Sequence, residues 1–301
     1  MDRKVSFSTG PLQEIYGDEQ AIKIAKEIGA DAIDFSTFRM DYRDTECIFS
    51  KSEDEVATYF TRLKKLADDI GIEFAQTHGR IEGFRNDEAQ DTALLKNAHL
   101  DCLAASILAA PVCVMHSPSP VWLGNMNIEA AVMQKLNFEM FSGILPFAKK
   151  YNIKLAMETF GDATGFNCCD FFGIIDEFIL GYNNLCCIDD NAKYMTTCVD
   201  TGHSNKAVRY GQPSAADVIR MLGHSVSTLH LNDNDGVFDQ HKIPMTGTID
   251  WNDVFDALDE IGYNGVYNME LELKHFGKGL EVETAQFAVK VMKNMLSKRY
   301  A

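Results

Sequence analysis

Along the chain, short runs of β-branched and aromatic residues alternate with longer stretches whose apolar residues recur every three or four positions. Val5 to Ser8 predicts a first strand. Glu19 to Ile28 predicts a helix, because Ile22, Ala25 and Ile28 share one face and Gly29 closes it. The same pattern predicts strands over Ala32 to Ser36, Ile72 to Thr77, Val112 to Met115, Lys154 to Thr159, Thr197 to Asp200, Ser227 to Leu231 and Val266 to Leu271. Between them fall helices over Asp54 to Ile70, Thr92 to Ala110, Ile128 to Tyr151, Asp170 to Leu180, Ala215 to Leu222 and Trp251 to Ile261, with Thr284 to Ser297 closing the chain. Pro146 is expected to bend or split its helix, and Gly181 to end the one before it. Asp250 is placed to cap the start of its helix, with Gly262 past the end.

Strictly alternating strands and helices imply a parallel sheet with right-handed crossovers. Alternation alone does not separate a closed barrel from an open, doubly wound sheet. The count of eight favours the barrel, and so does Ser8-Thr9-Gly10-Pro11 after the first strand, where a dinucleotide fold would carry a glycine-rich phosphate turn. No proline-rich linker or like-charge block divides the chain. The expectation is an α/β fold, one (β/α)8 TIM barrel domain over residues 1–301.

Charge narrows the function. The 301 residues hold 28 Lys plus Arg against 44 Asp plus Glu, a net charge of −16. Such a surface repels phosphate backbones, so the expected partner is a small molecule and not a nucleic acid. The opening Met1-Asp2-Arg3-Lys4-Val5-Ser6 lacks the apolar core of a secretory signal, and no stretch is long enough for a membrane span. Eight cysteines without a CxxC spacing read as reduced thiols, those at 113, 187 and 198 as core. Together these predict a cytoplasmic enzyme.

The chemistry gathers at strand ends. The third strand ends in Thr77-His78-Gly79, the fourth in Met115-His116-Ser117, the fifth in Met157-Glu158-Thr159 and the sixth in Val199-Asp200-Thr201-Gly202-His203. The seventh carries Leu229-His230-Leu231-Asn232-Asp233, the loop after it Asp239-Gln240-His241, and the eighth ends in Met269-Glu270-Leu271. In a parallel barrel these ends converge on the face that holds the active site. Taken singly, each residue has a plain alternative: a histidine satisfied in the core, or Asp200 capping the next turn. Six consecutive strands with an ionisable group at equivalent ends are harder to dismiss. Carboxylates and imidazoles converging on one axial point repel and shift one another unless a divalent cation joins them. His99, His224 and His275 lie elsewhere and read as surface or capping residues. Phe38, Phe84, Trp122 and Phe160, in strand-to-helix loops, are candidates for stacking on a sugar.

At these residues the chain resembles the xylose isomerase-like TIM barrel superfamily of sugar isomerases and epimerases, which also includes inosose dehydratases and the endonuclease IV-related branch. The run Pro244-Met-Thr-Gly247-Thr-Ile-Asp250-Trp251 is similar to the family's Pro-Gly-x-Gly-x-Ile-Asp-Trp, with Met245 in place of the first glycine. The resemblance implies one divalent metal ion on Glu158, Asp200, His230 and Glu270, manganese favoured over zinc, cobalt or magnesium. It implies proton transfer through a metal-stabilised enediolate, with Glu158 and Glu270 as catalytic acid–base groups and His203 holding substrate oxygens. His78, His116, Asp239 and His241 are expected to touch substrate or to support the ligands. It further allows a homo-oligomer, dimers and tetramers being common among similar proteins. One alternative is an apurinic-site endonuclease with three zincs spread over His78, His116, Glu158, Asp200, His203, His230, Asp239, His241 and Glu270. Another is an inosose dehydratase-like lyase.

Overall fold

Eight parallel strands, Val5–Ser8, Ala32–Ser36, Glu73–His78, Val112–Met115, Lys154–Glu158, Met195–Asp200, Val226–His230 and Tyr267–Met269, follow one another around a barrel, each paired with its neighbours in the chain. The computed structural model describes residues 3–163 and 165–300, so Met1 and Asp2 of the opening segment lie outside the described residues. The first strand pairs with both the second and the eighth. The ring closes between the seventh and eighth through one bridge, Leu231 to Met269, where Leu231 N donates to Asn268 O at 2.8 Å and Glu270 N to Leu231 O at 3.3 Å. The fold is the (β/α)8 barrel that alternation and strand count predicted.

Alternation along each strand divides the buried side chains into two sets. One, including Phe7, Phe35, Phe74, Leu155, Val199 and Leu229, packs under the helices in the main core. The other points to the barrel axis, where Val112, Val114, Ala156 and Cys198 form a small apolar plug. The residues that share the plug's alternation and lie one step further along the strands are His116, Glu158 and Asp200.

Helix ends follow local rules. Ser52 accepts from Glu55 N in a reciprocal capping box that starts the helix Glu53–Ile70, and Gly71 closes it in the left-handed region. Asp250 caps Trp251–Glu260 as predicted. The helix Ala130–Tyr151 is not split at Pro146, which is exposed, so the carbonyl it cannot satisfy stands where water can reach it. Gly181 does not end a helix but lies inside Ile175–Cys186, buried against the neighbouring helix, where a Cβ would stand 3.0 Å from Asn137 Nδ2. Because that helix runs on past Gly181, Cys187 is its exposed C-cap rather than a core residue; Cys113 and Cys198 are buried, and all eight thiols are free. No helix among the described residues is long and apolar enough to cross a membrane.

Candidate metal centre

At or just past the strand ends, inward side chains gather at the mouth. Around Glu158, which is fully buried, His230 Nδ1 lies 3.1 Å from Oε1, while His116 Nε2 and His78 Nε2 lie 3.2 and 3.4 Å from Oε2. Glu270, from just past the eighth strand, stands 3.4 Å from the same His230 Nδ1 and 3.7 Å from His78 Nε2. One donor atom from each of His78, Glu158, His230 and Glu270 falls within 4.8 Å of the others, and a second group joins Asp200, His203 and His241. Of the four ligands expected from sequence, three share the first group, with His78 as its fourth member; Asp200 falls in the second.

Asp200 caps the turn that follows it, the plain reading of its position. Its Oδ1 caps the helix Thr201–Ala207 by accepting from His203 N at 2.7 Å, and its Oδ2 accepts from Asn232 Nδ2 at 2.8 Å. Gly202 is obligatory beneath that pair, since a Cβ there would meet Asn232 Oδ1 at 1.9 Å. His203 and His241 are each held by one ring nitrogen, Nδ1, against a backbone carbonyl: Thr159 O at 3.0 Å and Glu270 O at 3.1 Å. Their Nε2 atoms approach Asp239 Oδ2 at 3.6 and 3.5 Å. An imidazole pinned by one nitrogen to a carbonyl presents the other at a fixed angle, the usual state of a metal-ligating histidine. His241 adopts φ +43, an uncommon backbone conformation that the surrounding loop must enforce.

That loop is built around Asp233. Its buried carboxylate accepts from Asn234 N (2.9 Å), Met245 N (3.0 Å), Ile249 N (3.3 Å) and Trp251 Nε1 (2.9 Å), and its backbone pairs with Lys242. The departure at Met245 therefore leaves the loop intact. Met245 itself takes φ +74, the conformation a glycine adopts freely, and so carries strain that the family's glycine avoids.

The electrostatics are those of unmatched charge. Burial pushes the His78 imidazole down and the Asp200 carboxyl up. Against burial, His230 and His116 hold Glu158 well below the usual carboxylate range. Burial also opposes protonation of His230, but Cys198, Glu158 and Glu270 raise it well above the ordinary imidazole value. His203 is raised likewise by Asp200 and Asp239, and His241, bonded to Asp239, is pushed up to about 9.

Both Glu158 oxygens are buried without a hydrogen-bond partner, as are both nitrogens of His230. Buried charged atoms left so are costly unless something else satisfies them. A mixed set of imidazoles and carboxylates at these separations fits a divalent cation, which would draw donor atoms to roughly 2–2.3 Å.

Sequence reasoning missed Asp34, which is fully buried with Oδ2 3.3 Å from His230 Nε2. The signal was there: a lone carboxylate inside the apolar run Ala32-Ile-Asp-Phe-Ser36. It also missed Lys206, buried and paired with Asp162 at 2.6 Å and Asp239 at 3.3 Å. Of the aromatic candidates, Phe38 sets its edge against His78, and Phe160 lies against His116 and His203. Trp122 is exposed beneath the Arg85 guanidinium, whereas Phe84 is buried in the core and unavailable to a ligand.

Residues 22–295 match the family described as xylose isomerase-like TIM barrel, and the chain belongs to that family. Matches to curated relatives cover about half of those proteins: an uncharacterized protein of Methanocaldococcus jannaschii is 30% identical over 135 residues, 44% of this chain and 42% of that protein. A D-tagatose 3-epimerase-like protein superposes with a TM-score of 0.73 at 18% identity, covering 99% of this chain and 100% of its own. The IOLI protein, solved with a zinc atom, gives 0.72 at 18% identity over 99% of both chains.

Proposed function

We propose that this xylose isomerase-like barrel is a divalent-metal-dependent sugar isomerase or epimerase that moves a proton on the carbon beside a substrate carbonyl. The observation that carries the reading is the pairing of Glu158 and Glu270: carboxylates from the fifth and eighth strands approach one atom, His230 Nδ1, at 3.1 and 3.4 Å. Two carboxylates facing one point are what proton removal and return require. The sugar-epimerase relatives of this fold support a carbohydrate substrate.

Glu158, His230 and Glu270 would hold the cation, with Asp200 or His78 completing the set; manganese is favoured. When bound, it supplies Lewis-acid polarisation of a carbonyl and the neighbouring hydroxyl. One glutamate then takes the proton. If the other returns it to the opposite face, the product is an epimer; if the same group returns it to the adjacent carbon while the hydroxyl proton passes to the former carbonyl oxygen, the product is the aldose–ketose isomer. His203, its Nδ1 engaged with Thr159 O, directs Nε2 to a substrate hydroxyl or developing oxyanion. Phe38 and Phe160 offer apolar faces to the sugar ring. Cytoplasmic residence, a single domain and homo-oligomeric assembly belong to the same proposal.

A specific observation favours a second reading. The convergence of His203 and His241 on Asp239, beside that of His78 and His116 on Glu158, traces the nine-residue trinuclear pattern of the endonuclease IV-related branch. Phosphodiester cleavage would need cations free to meet phosphate. Two nearby cations are buried and already paired, Lys206 with Asp162 and Asp239, and Arg80 with Asp101 at 2.7 Å.

The test strips the protein with EDTA, titrates Mn2+, Co2+ or Zn2+ back, and follows loss of substrate C–H signal in deuterated water across ketohexoses, aldoses and inososes. Exchange that vanishes on stripping and returns with one equivalent of metal is the expected result. Three zincs per chain with cleavage of an abasic duplex and no exchange favours the second reading. Release of water with a new carbonyl absorbance assigns the chain to the lyases.

A further inference from the structure

We propose that Asp34 is a positioning residue for the metal centre, whose carboxylate fixes the tautomer of His230 and turns its Nδ1 toward Glu158 and Glu270. The inference rests on the metal-dependent reading above.

The second strand is buried along its whole length, and its flanking residues Ile33 and Phe35 pack in the core under the helices. Asp34 therefore points to the barrel axis. The pairing register with the third strand shifts between Ile33 and Asp34, an irregularity of the kind that re-aims a side chain. The carboxylate ends 3.3 Å from His230 Nε2, and the same oxygen accepts from Asn268 Nδ2 at 3.0 Å. The Asn268 amide cannot flip without setting its Oδ1 against the Asp34 carboxylate, and the Ser6 hydroxyl meets its other end. Ser6, Asn268 and Asp34, on the first, eighth and second strands, are all fully buried.

A histidine that binds a cation is a neutral imidazole with one proton left. A carboxylate facing Nε2 keeps the proton there, which leaves the Nδ1 lone pair directed at the space between Glu158 and Glu270. The carboxylate also raises the basicity of the donor nitrogen. Packing does not account for this residue. Its Oδ1 is buried with no hydrogen-bond partner, a cost that filling space alone does not explain.

The experiment measures Mn2+ and Zn2+ affinity by competition with a chromophoric chelator in the wild type, Asp34→Asn, Asp34→Ala and Asn268→Ser, alongside the melting temperature of each metal-free protein. Asp34→Asn keeps an oxygen acceptor and loses the charge, so affinity falls about tenfold; Asp34→Ala loses both and approaches about 100-fold. Neither change lowers the metal-free melting temperature, and the visible d–d band of the Co2+ form shifts. Affinity within about threefold of wild type in folded Asp34 variants, with an unmoved Co2+ band, overturns the inference while leaving the metal reading in place. If neither Asp34 variant folds, Asn268→Ser decides: an intermediate loss supports the inference and unchanged affinity overturns it. A wild type that takes up none of the ions removes both readings.

Discussion

The two ends of the barrel treat charge in opposite ways. At the end away from the site, Asp259 accepts from Arg299 Nη2 and Tyr300 Oη at 2.7 Å each, Arg3 donates to Tyr263 O at 2.6 Å, and Lys4 meets Glu73 at 2.6 Å. Burial opposes it, yet Tyr300 and Arg299 together hold the Asp259 carboxyl below its ordinary value. At the mouth, histidines and carboxylates are buried together with few hydrogen bonds between them, and Glu158 has none. An open cleft of about 700 Å3 lies at the quiet end, lined by Arg3, Lys4, Glu73 and Tyr300 among others, where the charges are already matched. Volume alone is therefore a poor guide to chemistry here. Unmatched buried charge is the better one, because folding tolerates its cost only where binding relieves it.

The sharpest way to break this contrast is to neutralise one carboxylate at each end. Glu158→Gln should slow solvent-deuterium exchange into substrate by roughly 10²–10⁴-fold, the usual contribution of a positioned acid–base group. Asp259→Asn should leave exchange unchanged; a comparable loss there would show that the ends are not functionally separate.

Asp170 tests the contrast at an intermediate point. It is buried, accepts from the Ser119 hydroxyl at 2.5 Å and from Phe172 N at 3.3 Å, and burial pushes its carboxyl up to about 6 from 3.8. Between those values the folded chain holds a proton that the unfolded chain has lost, so stability declines as pH rises through that window and the full penalty stands above it. Asp170→Asn should then be more stable than wild type at neutral pH by on the order of 2–3 kcal/mol, the gap closing below about pH 4. Urea unfolding at several pH values measures it. A pH-independent gap would place Asp170 with the matched carboxylates of the far end.

The smallest effect concerns strain. Met245 is 66% exposed at φ +74 and its side chain anchors little, so Met245→Gly should stabilise the protein by about 0.5–1 kcal/mol in thermal melts. A loss of stability would mean that the methionine packs in solution.

Element order was legible because hydrophobic periodicity reports burial directly. All eight strands lie where the apolar runs put them, and Ala215–Leu222 matches to the residue. What escaped was set by tertiary contact. Gly181 reads as a terminator, but its lack of a side chain serves a helix–helix approach instead. The helix Thr201–Ala207 is too short for periodicity and depends on the Asp200 cap. In the candidate site, strand-terminal His and acid residues stood out because a parallel barrel gathers them at one face. Which atoms group together did not, since Asp200 is turned to its cap and to Asn232 by tertiary contacts, and Asp34 was hidden inside a strand that sequence reads as core.

The thin joint between the seventh and eighth strands has a temporal consequence. His230 ends one strand and Glu270 follows the other, and the eighth strand also pairs with the first, so the cluster of His78, Glu158, His230 and Glu270 is complete only once the first and eighth strands have met. A chain whose eighth strand has not yet docked lacks Glu270 at the mouth, so uptake of the proposed ion would follow the closing of the ring rather than guide the early collapse.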